Sequence, residues 1–101
     1  MSNFADFLAQ DRRLAILELL VQARGEASET VIERALNALG HRVGVDRDVV
    51  REEFTFLETV GCVKTEWVGD RVQVAKITKR GVAVAHGKIT VEGVAEPSMG
   101  V

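Results

Sequence analysis

Cys62-Val63-Lys64-Thr65-Glu66-Trp67-Val68-Gly69-Asp70-Arg71-Val72-Gln73-Val74-Ala75-Lys76-Ile77 is the stretch whose pattern decides the fold. Its two runs, residues 62–68 and 71–77, are rich in β-branched residues and alternate apolar with polar, the period of a half-buried strand. Only Gly69 and Asp70 lie between them. A two-residue loop with glycine permits the primed turns whose twist matches that of paired strands, so the stretch predicts an antiparallel hairpin. Thr78 then caps a last helix from Lys79 to about His86, which Gly87 ends.

Upstream of the hairpin the period becomes helical. Asp46 caps a third helix over residues 46–60, ended by Gly61. On a wheel of about 100° per residue, Val49, Val50, Phe54, Phe56, Leu57 and Val60 share one side. Arg47, Asp48, Arg51, Glu52, Thr55, Glu58 and Thr59 share the other. Glu53 falls inside the apolar arc, where a charge is costly unless partnered, and an arginine from the first helices is its expected partner. Ser28 caps a second helix whose stripe is Val31, Ile32, Ala35, Leu36 and Leu39, ended by Gly40. The first segment runs from about Asn3 to Arg24, with Phe4, Phe7 and Leu8 followed by Leu14, Leu17, Leu20 and Val21. Gln10-Asp11-Arg12-Arg13 interrupts it and leaves one bent helix or two helices open. His41 to Val45 is a connector whose alternation a short strand would also show. The order helix-helix-helix-strand-strand-helix is the winged helix-turn-helix plan, mostly α with a β-hairpin (α+β). We therefore expect one domain over residues 1–87 and an extended C-terminal tail over 88–101, whose Ile89, Val91 and Val94 could dock on the domain or on a partner.

Length and composition exclude much else. A chain of 101 residues holds one domain, too short for a two-domain oxidoreductase or a barrel of about 250 residues. Its 47% apolar and 28% charged residues argue against disorder. One cysteine rules out an internal disulfide and a four-cysteine zinc site, and fits a reducing compartment. No apolar run approaches the length of a membrane span, and Asp6 interrupts the first turns where a signal peptide would be apolar, so the expected location is the cytoplasm. No phosphate loop, nucleophile elbow or zinc helix is present, and we expect neither an enzyme nor a cofactor, metal or small-molecule ligand. Cys62, between a helix-ending glycine and a strand valine, reads as a small core residue. His41 and His86 read as helix-end residues that complement the dipole.

The motifs Asp11-Arg12-Arg13-Leu14, Leu39-Gly40-His41-Arg42-Val43, Val50-Arg51 with Phe54 and Leu57, Gly61-Cys62-Val63, and Ile77-Thr78 with Arg80-Gly81 occur in that order. Over roughly residues 4–87 the chain resembles a family of small winged-helix proteins of Mu-like phages and prophages, loosely similar to regulators of the arsenical-repressor type. The resemblance implies a winged helix, dimerisation through terminal helices and DNA binding. It does not bring the metal-sensing ligands, because Cys62, His41 and His86 have no close pairing in sequence.

Net charge is −2, but unevenly spread. Residues 1–70 hold 8 basic and 13 acidic side chains, −5, whereas residues 71–91 hold five basic and no acidic ones. The first expectation is a dimeric winged-helix regulator of a phage or prophage that binds double-stranded DNA. Arg47, Arg51 and Thr55 would enter the major groove, Arg42 would approach the backbone, Arg71 would touch it from the wing, and Lys79 and Arg80 would add charge. Yet the exposed face of the third helix sums to −1, which supplies little counterion release. The alternative is therefore a protein-interaction module without DNA contact. In either case Phe4, Phe7 and Leu8 are expected to pack on Val82, Ala83 and Val84 of a second copy, giving a two-fold homodimer.

Overall fold

Four short polar side chains set where the helices begin. The carboxamide of Asn3 accepts from the Asp6 amide, the Ser28 hydroxyl from Val31, the Asp46 carboxylate from Val49 and the Thr78 hydroxyl from Gly81, each satisfying a first-turn N–H that no helical carbonyl can reach. The computed structural model describes residues 3–41 and 44–97. Among them are helices α1 (Phe4–Gln22), α2 (Glu29–Ala38), α3 (Arg47–Thr59) and α4 (Lys79–Ala85), and strands β1 (Glu26–Ser28), β2 (Val63–Val68) and β3 (Val72–Ile77). This is the expected α+β order of helices, hairpin and helix.

The first segment is one continuous helix of 19 residues, which settles the choice that its polar break left open. Arg12 and Arg13 do not interrupt the core face. Their Nε–H groups donate to the two oxygens of Glu53 on α3, at 2.7 and 2.9 Å. Glu53 is 3% exposed and lies in the apolar arc as the wheel placed it, with the arginine partners that its burial demanded. Arg13 also lies over the Phe56 ring, 3.8 Å from its centroid, and donates to the Gly93 carbonyl at 2.9 Å.

The sheet is antiparallel with order β1-β3-β2. β1 was not expected. Its three residues pair with Val74 to Lys76 and cover the edge of β3 that the hairpin leaves open. The hairpin forms with Val63 opposite Ile77 and Val68 opposite Val72, so its loop is Gly69 to Arg71, one residue longer than expected. Gly69 and Asp70 both take positive φ, as a primed turn requires. The extra residue follows from burial. A two-residue loop would set Lys76 opposite Val63 and turn it to the core face, where the observed register places Ala75, which is fully buried, and Ile77.

The core joins Leu14, Ile16, Leu17 and Leu20 of α1 to Ile32, Leu36, Val50, Phe54, Leu57, Val63, Ala75 and Val84. After α4, residues 88–97 form neither helix nor strand, but they dock on their own domain. Val91 and Val94 are buried and the Ala95 amide donates to the Gln10 carbonyl. The junction between α3 and α4 is tight. Thr78 donates to the Gly61 carbonyl at 2.7 Å, Arg80 Nε to the Val60 carbonyl at 2.9 Å, and a Cβ on Gly81 would overlap the Cys62 carbonyl oxygen.

Two substitutions test this packing by urea denaturation. Gly81→Ala forces backbone apart and should cost about 1–3 kcal/mol or more. Glu53→Ala leaves Arg12 and Arg13, each less than one-fifth exposed, without their counter-charge. It should cost towards the lower end of about 3–5 kcal/mol, more than Arg12→Ala alone.

Candidate functional site

In this fold the face of interest is where α2, α3 and the wing meet. α3 begins at Asp46, so its first two turns present Arg47, Asp48, Arg51, Glu52 and Thr55. Their placement is set by one carboxylate. Glu29, the first residue of α2, is fully buried. It accepts from Arg51 Nε at 2.7 Å and from the backbone amide of Gln73 on β3, and Arg47 Nε lies 3.6 Å away. Glu33, one turn on, lies 3.8 Å from Arg47. Arg51 also reaches the Arg71 carbonyl at 3.5 Å, and its guanidinium lies 5.0 Å from the centroid of the Trp67 ring on β2. This cluster has no local signature: Glu29 reads as a first-turn acid that suits the helix dipole, and its partners lie 22 and 44 residues away.

The residues expected at a DNA face therefore divide. Arg51, half-buried, bonds Glu29, while Arg47 is exposed and lies within ion-pair distance of Glu29 and Glu33. The Thr55 hydroxyl donates to the Arg51 carbonyl, which leaves exposed Asp48 and Glu52 beside it on the outward face. Arg71 is exposed on the wing loop and Lys79 is exposed at the start of α4. Arg80 is also exposed, and its Nε donates to the Val60 carbonyl at the end of α3. Arg42 lies outside the described residues.

A second feature is a cleft of about 390 Å³ between the start of α1 and the end of α2. Phe4, Leu8, Leu39 and Val45 supply its apolar walls, and Asp11 and His41, 3.9 Å apart, stand at its rim. Phe4, Phe7 and Leu39 are 73%, 61% and 60% exposed, and the two phenyl rings stack 6.4 Å apart. Of the expected counter-surface on the last helix, Val84 is buried in its own core and Val82 and Ala83 are half-buried, because α4 packs along α1 of the same chain.

Among the described residues no group of three His, Cys, Asp or Glu side chains is arranged to hold a metal ion, and no helix is long and apolar enough to cross a membrane. Cys62 is fully buried, and burial pushes its thiol above the ordinary range against a smaller opposing effect of Arg80.

Fold and site together define a small winged helix-turn-helix domain with acid-held arginines on its third helix. The chain is 39% identical over 92 residues to the uncharacterized protein gp26 of Escherichia phage Mu, covering 91% of this chain and 93% of that protein. It is 36% identical over 78 residues to an uncharacterized protein of Haemophilus influenzae (strain ATCC 51907 / DSM 11121 / KW20 / Rd), covering 77% of this chain and 74% of that one. It belongs to the family of these two proteins, and the expected kinship with Mu-like phage proteins is met at that level. No family model and no solved structure matches the chain.

The raised thiol makes a prediction. Nucleophilic attack needs the thiolate, so native Cys62 should resist iodoacetamide at neutral pH and react at an ordinary rate only in denaturant. Quantitative alkylation of the native protein within minutes would contradict the burial described.

Proposed function

We propose that the chain is a winged-helix protein-interaction module that works as a homodimer, with the outward face of α3 meeting a basic protein surface rather than the DNA major groove. One observation carries this reading: Arg51 is bonded to buried Glu29, Arg47, though exposed, lies within ion-pair distance of Glu29 and Glu33, and Asp48 and Glu52 stand exposed beside them. To read guanine, Arg51 would have to give up its bond to a fully buried carboxylate, which would keep only the Gln73 amide and the more distant Arg47, and an under-compensated buried charge is costly. DNA phosphates would at the same time approach two exposed carboxylates, whereas affinity for a duplex comes mainly from cations that release counterions. The order of the two sequence-based expectations is thus reversed.

The second reading, a DNA-binding regulator of a phage or prophage, keeps one observation in its favour. The wing places Arg71, exposed, next to α3, where a winged helix touches backbone.

Mobility-shift titrations at about 50 mM salt separate the two. The wild-type protein should not shift phage or host duplexes. The double variant Asp48→Lys, Glu52→Lys should bind duplex of any sequence, and lose that binding steeply as salt rises. A sequence-dependent shift by the wild type, weakened more on cognate than on random duplex by Arg51→Ala, would overturn the interaction reading and restore the regulator.

A further inference from the structure

We infer that the cleft between α1 and α2 is filled by the first turn of α1 from a second copy of this chain, in a two-fold dimer. This rests on the homodimer in the reading above and names its surface.

The first argument is shape. Residues 4–7 are exposed on every side of the helix, and Phe4 and Phe7 form a stacked apolar knob. The hole is walled by the same helix, from Phe4 itself through Leu8 to Asp11. A knob and a hole on one surface are self-complementary, the condition for a closed, isologous contact. If two copies of α1 cross antiparallel between Phe7 and Leu8, Phe4 of one stands opposite Asp11 of the other. That position is the mouth of the cleft.

The second argument is charge. The same crossing sets the N-terminal end of one α1, with the first-turn amides that Asn3 does not serve and a positive dipole partly offset by its own Asp6, against the exposed Asp11 carboxylate of the other. Each copy supplies both the positive end and the acid, so the pairing needs no foreign partner.

The third argument is area. At their exposures, Phe4, Phe7 and Leu39 leave about 400 Å² of apolar surface per copy and about 800 Å² for a pair. An interface near the lower bound for stable complexes, about 1,200 Å², with an apolar share of about 65%, needs that amount.

Light scattering after size exclusion tests the surface. At tens of micromolar the wild type should elute as a dimer of about 22 kDa, twice the 11.0 kDa chain. Phe4→Asp and Leu39→Asp, both at exposed positions, should each give a monomer with an unchanged circular-dichroism spectrum. Asp11→Lys should weaken the dimer at least tenfold, and Val68→Asp, on the exposed wing, should leave it intact. A wild-type monomer would overturn both the homodimer and this surface. A dimer that survives Phe4→Asp and Leu39→Asp, with both variants folded, would overturn the surface alone.

Discussion

The carboxylate of Glu29 is the constraint on which the working face depends. Taking an ionised group fully out of water costs several kcal/mol even after relaxation, so it must be met by charge and hydrogen bonds from more than one direction. Arg51 comes from α3, the Gln73 amide from β3, and the start of α2 adds the positive end of its own dipole. One side chain thereby fixes three elements relative to one another. Arg51, held from below, is then the platform on which Trp67 of β2 rests, so both strands of the wing are tied to the helix-turn-helix.

What the sequence made legible is what short-range chemistry dictates. Ser28, Asp46 and Thr78 were recognisable as caps because each serves an amide three residues on. The hairpin was recognisable because alternation and a Gly-Asp loop are both local. Glu53 was the instructive case. Its position in an apolar arc is a local anomaly, and the anomaly forecast a partner that proved to lie 40 and 41 residues away. Glu29 had no such anomaly, since an acid in a first turn is ordinary, and so its burial was invisible. β1 was missed for a related reason: Glu26-Ala27-Ser28 is too short to show a period, and it is a strand only because β3 offers an edge. The hairpin register erred by one residue because turn chemistry proposed one loop length and the buried face of β3 required another.

α1 shows how enclosure erases a pattern. A helix that lies on a core has one apolar stripe. α1 packs against α2, α3 and α4 and takes residues 91–95 across its middle, so Ile16 is buried as fully as Leu17 and Leu20, off the stripe that the leucines marked. Only its first turn is exposed on every side; later turns expose single residues such as Asp11 and Glu18. The boundary falls beyond Gln10 and Asp11: the Gln10 carbonyl accepts from Ala95 and Asp11 lies 3.9 Å from His41, whereas residues 4–7 are exposed.

The basic block at residues 71–91 looked like the strongest hint of a nucleic-acid partner, yet clustering in sequence is not clustering in space. Lys76 sits on the sheet, 3.1 Å from Glu66, whose carboxylate raises its pKa by hydrogen bond and charge. Arg80 donates to the carbonyl that ends α3, and serves as the cation that α3 lacks in its own last turn. Arg71 is on the wing loop and Lys88 lies beyond α4. The five charges are spread over the wing loop, β3, the start of α4 (Lys79 and Arg80) and the segment after it, and two of the five already have structural partners. Counterion release depends on how many cations face one duplex at once, so a chain can carry an all-positive segment and still offer no positive band. The acids behave in the opposite way. Glu29, Glu33, Asp48 and Glu52 are scattered through 24 residues of sequence, but folding α2 against α3 gathers them around the start of the helix that would have to enter the groove.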